Sequence, residues 1–60
     1  MIIIQHHDDD LFIEYFENLL SIMNIDYEFD DMNGPTWMFP SLTTELELVI
    51  RNNNLEFHKI

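Results

Sequence analysis

The stretch LTTELELVIRNNN, residues 42 to 54, decides how the chain is drawn. Leu42, Thr44, Leu46, Leu48 and Ile50 alternate with Thr43, Glu45, Glu47, Val49 and Arg51. A period of two is the signature of a strand with one face buried. Read this way, the segment is a strand, and Asn52-Asn53-Asn54 turns it back as a tight hairpin, because asparagine tolerates positive φ. LEFHKI, residues 55 to 60, is then the returning strand.

Upstream, IDYEF at residues 25 to 29 alternates in the same way, with Ile25, Tyr27 and Phe29 set against Asp26 and Glu28. Asn33-Gly34-Pro35 is turn chemistry, and Pro40 ends whatever precedes it. GPTWMFP, residues 34 to 40, reads as irregular. Ahead of these lies DDDLFIEYFENLLSIMN, residues 8 to 24, with helical periodicity, Asp8 as N-cap and Asn24 as terminator. MIIIQ at the start is β-branched and reads as a short buried strand. The expected fold is α+β in the order β-α-β-β-β over a single domain, residues 1–60. One amphipathic helix packs on a small, mainly antiparallel sheet.

The charge balance is the strongest functional signal. Twelve acids face two bases, Arg51 and Lys59, for a formal net charge of −10. Nucleic acid and anionic membranes attract basic surfaces, so neither is an expected direct partner. The expected partner is a basic protein, such as a DNA- or RNA-binding enzyme or effector. With the apolar strand faces on the helix, Asp26, Glu28, Asp30, Glu45, Glu47 and Glu56 share the outer sheet face. Residues two apart on a strand are about 6.6 Å apart, and neighbouring strands lie about 4.8 Å apart. Like charges so placed destabilise a sheet. Such a grid is a crude copy of the phosphate charge of duplex DNA, about one per 1.7 Å of axis. A merely solvated face is the competing reading.

Trp37, Met38 and Phe39 stand consecutively between two prolines. They are either a lid on the core or an aromatic anchor beside the acidic face, since binding hot spots favour tryptophan. The candidate partner-binding set is therefore the six carboxylates with Trp37 and Phe39 at their margin. The first helix carries an apolar arc of about 200°, wider than the ~100° stripe of an ordinary surface helix. Its edges are Ile13 and Leu20 on one side, Leu11 and Ile22 on the other. A covering loop or a second subunit accounts for that width, and a homodimer is the expectation.

Catalysis finds no support. Gly34 is the one glycine, cysteine is absent, and Ser21 and Ser41 lack a nucleophile motif. HHDDD, residues 6 to 10, has metal-ligand chemistry. Adjacent strand residues point to opposite faces, however, so His6 and His7 are not expected to share an ion, and capping explains the aspartates. No cofactor and no metal are expected. No apolar run approaches the ~18 residues of a membrane span. Without cysteine or a secretory signal, the cytoplasm is the expected location, that of the host cell if the protein is viral.

In size, charge and lack of cysteine, the chain resembles the small acidic inhibitors encoded by bacterial viruses. Those proteins block uracil-DNA glycosylases, restriction enzymes, CRISPR effectors, histone-like proteins or polymerases, often by imitating DNA. The resemblance carries no motif and transfers no residue roles. It implies an inhibitory DNA mimic. An acidic antitoxin or immunity-like protein, and a small structural subunit, are the alternatives.

Overall fold

A computed structural model describes residues 1–60. Its elements are β1 (Ile2–Gln5), α1 (Asp10–Ile22), β2 (Glu28–Asp30), β3 (Thr36–Phe39), α2 (Thr44–Asn52) and β4 (His58–Lys59). The fold is α+β, with two helices packed on a four-stranded antiparallel sheet. The strand order is β2-β3-β1-β4. Each helix thus joins two parallel strands that have a third strand between them. This is the split β-α-β arrangement of ferredoxin-like domains, a topology that hosts many unrelated functions.

The segment that alternates so regularly is a helix, so the expected β-α-β-β-β order becomes β-α-β-β-α-β. The residues fit both periods, and packing chooses between them. Leu46, Val49 and Ile50 recur at helical spacing and are buried. Leu48, which the strand reading turned inward, is exposed. Thr43 caps the helix, its side-chain oxygen accepting from the Leu46 amide at 3.2 Å. Glu45 and Glu47 occupy the first turn and Arg51 the last, as the helix dipole favours. Glutamate, leucine and arginine are also good helix formers.

Asparagine does turn the chain after residue 52, but as a helix stop and not a hairpin. Asn54 has φ 55°, and the Leu55 amide reaches back to the Ile50 carbonyl at 3.0 Å. Asn24 ends α1 in the same way, with φ 57° and an Ile25 amide bond to the Leu20 carbonyl at 2.9 Å. Both are Schellman closures with asparagine in the left-handed position. At the other end of α1 the cap is Asp9 rather than Asp8. Its carboxylate accepts from the Leu11 and Phe12 amides.

The stretch expected to be irregular contains an interior strand, β3, flanked by β1 and β2. Ile2 pairs with Phe39, Ile4 with Trp37, and Phe29 with Trp37. Paired residues share a face. Ile2, Ile4, Trp37 and Phe39 are therefore the sheet's contribution to the core, where they meet Phe16, Leu20, Leu46, Val49 and Ile50. Phe16 and Trp37 pack edge to face, 4.9 Å between ring centroids. The flanking strands are shorter than expected. β2 spans residues 28–30 rather than 25–29, and only His58 and Lys59 of the last segment pair.

Candidate partner-binding surface

The six carboxylates expected on one sheet face are distributed over the molecule. Glu45 and Glu47 lie on α2, Asp26 precedes β2, and Glu56 lies between α2 and β4. Only Glu28 and Asp30 are strand residues. Their pairing partners on β3 are Met38 and Thr36. The row across the open face runs Glu28, Met38, Ile3, His58, and the next runs Asp30, Thr36, Gln5. Half-buried Met38 and Ile3 occupy its centre, and Gln5 donates to the Thr36 hydroxyl at 3.2 Å. The open face is mixed, and the expected grid of six acids does not form.

Trp37 and Phe39 cannot be surface anchors, because both are buried in the core. The strand pairing that turns them inward also separates them from Met38.

The structure gathers charge elsewhere, on the side where α1 lies against β2. Asp10, Glu14 and Glu17 fall within about 60° on α1 at 100° per residue. Ile13 of the same flank lines a depression with Phe29, Gly34 and Pro35, and Asp8, Asp10 and Asp31 complete its wall. Asp26 precedes the edge strand, Glu28 and Asp30 lie on it, and Asp31 follows it. Eight of the twelve acids thus belong to this edge. Both bases lie on the opposite side, Arg51 on α2 and Lys59 on the far edge strand β4.

One ion pair forms in the molecule, Arg51 to Glu47 at 3.2 Å, and both partners are exposed. It is remote from the acidic edge, whose carboxylates have no cationic partner. Some are used internally. Asp30 accepts from the Met32 amide at 3.0 Å, which shapes the turn. Glu17 accepts from the Trp37 indole at 3.2 Å. Burial raises the Tyr27 hydroxyl above its ordinary pKa of 10.0, and the nearby Glu17 carboxylate adds to the shift. Two apolar side chains lie within the acidic edge. Phe29 is partly exposed, and Met32, at the turn tip, is 86% exposed.

Asp8, Asp10, Glu14, Glu17 and Asp31 were not in the sequence-derived site. A signal for them existed, since both bases fall after residue 50. Their assembly depends on α1 lying beside β2, which only the strand order specifies.

His6 and His7 also depart from expectation. β1 ends at Gln5, so strand alternation does not apply to them, and their rings lie 4.1 Å apart between centroids. No group of three or more His, Cys, Asp or Glu side chains is arranged to hold a metal ion. No helix is long and apolar enough to cross a membrane. No protein-family model, curated protein or solved structure matches the chain.

Proposed function

We propose that this protein is a protein-binding inhibitor. It presents its α1–β2 acidic edge to the nucleic-acid groove of a basic protein, where its carboxylates stand in for phosphates. One observation carries the reading: eight acids lie on α1 with its leading turn and on β2 with its flanking residues, while both bases lie on α2 and β4. A charge serving only dispersion needs no such segregation. The edge steers a basic partner into encounter, and slow release comes from an apolar contact. Met32 and Phe29 take the anchoring role that one of the two sequence readings gave to Trp37 and Phe39. Methionine suits an adaptable contact.

We also propose self-association through α1. The core takes up Phe12, Ile13, Phe16, Leu19, Leu20 and Met23. The other edge of the apolar arc stays open, with Leu11 and Ile22 each 81% exposed. The two project within about 20° of one another, away from the acidic edge. A dimer formed there leaves both acidic edges free.

The test is capture of partners from a bacterial lysate on the immobilised protein, with and without added duplex DNA. A DNA mimic captures a nucleic-acid-binding protein, and DNA releases it. Capture that DNA does not reduce indicates an antitoxin-like role and overturns mimicry.

A further inference from the structure

We propose that a cleft at the end of the molecule near the α1 N-terminus receives an arginine side chain of the basic partner. The inference rests on the reading that the partner is basic, and it adds a site outside the acidic edge. The cleft is broad and open to solvent, with a volume of about 680 Å³. It lies between the β1–α1 junction and the C-terminal end of α2. His6, His7, Phe12, Tyr15, Asn53 and Glu56 are among the residues that line it.

Its chemistry matches a guanidinium. His6 stacks on Phe12, 3.8 Å between centroids with the planes 12° apart, and the His7 ring lies 4.1 Å from His6, tilted by 30°. Behind them Phe12 continues to Phe16 in the core at 5.4 Å. The stack is therefore anchored in the packed interior and ends in exposed His7. A planar, weakly hydrated cation adds to such a stack, and a compact ammonium does so less well. Glu56 supplies a carboxylate for the guanidinium fork. The opposite wall is held in place. Tyr15 donates to Asn53 Oδ1 at 2.9 Å, and Asn53 Nδ2 donates to the Val49 carbonyl at 2.9 Å. An anionic ligand is disfavoured by Glu56 and by the net charge of −10. The cleft and the Asp8–Asp10–Asp31 depression flank the same 6–10 segment, so a partner on the edge can place an arginine in the cleft.

The experiment is a titration of the ¹⁵N-labelled full chain with N-acetyl-arginine amide and, in parallel, N-acetyl-lysine amide, followed by amide shifts. At about 150 mM salt, exposed charges are screened beyond ~8 Å, which suppresses diffuse attraction. The expected shifts cluster at His6, His7, Asn53, Asn54 and Glu56. The arginine derivative should bind about two- to five-fold tighter than the lysine derivative, the value of a stacked cation at an exposed site. His7→Ala should remove that preference, and Glu56→Gln should weaken both ligands, with the rest of each spectrum unchanged. Equal affinity for the two ligands, or shifts confined to Asp8, Asp10 and Asp31, would overturn the cleft as a guanidinium site. Such a result leaves the acidic edge standing. Loss of DNA-sensitive capture with the cleft shifts intact would instead remove the edge reading.

Discussion

The Trp37 indole N–H donates to the Glu17 carboxylate at 3.2 Å, which joins the centre of the core to the acidic edge. Trp37 is fully buried, and this bond satisfies its one polar atom. Glu17→Ala leaves a buried donor unpaired, at a cost of about 1–3 kcal/mol. Glu17→Gln keeps an acceptor and removes a charge, so its stability should stay within about 0.5 kcal/mol of wild type. Urea unfolding followed by Trp37 fluorescence measures both. Equal destabilisation by the two substitutions would show that the carboxylate charge, and not its acceptor, matters.

Tyr27 predicts a loss of stability at high pH. Its folded pKa is raised by burial and by Glu17, so the folded chain holds its proton where the unfolded chain has released it. Stability falls wherever the folded state binds more protons and pH is rising. The contribution is complete below the unfolded pKa, about 10, and is lost as pH climbs through the folded value. Tyr27→Phe should flatten the dependence of melting temperature on pH above about 9.5. An unchanged slope would mean that another group controls it.

Leu48 and Val49 separate the two readings of residues 42 to 54. The helix turns Val49 into the core, 1% exposed, and leaves Leu48 47% exposed. A strand with Leu46 and Leu48 inward would reverse them. Val49→Asp buries a carboxylate with no partner and should unfold the domain at room temperature. Leu48→Asp should shift stability by about 0.5 kcal/mol or less. Circular dichroism of the two variants decides, and the reverse ranking would return the segment to a strand.

Leu11 and Ile22 test self-association. Leu11→Glu with Ile22→Glu should yield a folded monomer at concentrations where wild type sediments as a dimer. Both side chains lie outside the core, so the melting curve of the monomer should remain cooperative. A wild-type chain that sediments as a monomer at micromolar concentration would end the dimer proposal.

Much of the fold was legible before any coordinates. Helix α1, its apolar face, the turn at Asn33-Gly34-Pro35 and the stop at Asn24 follow from local chemistry. So does the left-handed preference of Asn54, though not the element it terminates. Residues 42–51 misled because Leu46 and Ile50 lie on both a period-two and a helical face, and the contacts that choose between them are distant in sequence. β3 was hidden for a related reason. Trp37, Met38 and Phe39 do not alternate in polarity, because Met38 on the open face is itself half-buried. The candidate site inherited both errors. Glu45 and Glu47 left the sheet with α2, and Trp37 and Phe39 went into the core. The acidity of the chain was legible, but its location required knowing that β2 and β4 are opposite edges.

The most direct measurement compares two charge variants in releasing proteins from DNA. One is Glu14→Gln, Glu28→Gln, on the acidic edge. The other is Glu45→Gln, Glu47→Gln, on α2. Each removes two of the twelve acids, so the net charge of the two is the same. Bacterial lysate is bound to immobilised duplex DNA, and the proteins each variant elutes are identified by mass spectrometry. The wild-type chain should elute a defined DNA-binding protein. The Glu45, Glu47 variant should do so nearly as well, and the edge variant should not. Elution of that protein by the edge variant at wild-type efficiency, or an equal loss in both variants, would contradict recognition through the α1–β2 edge.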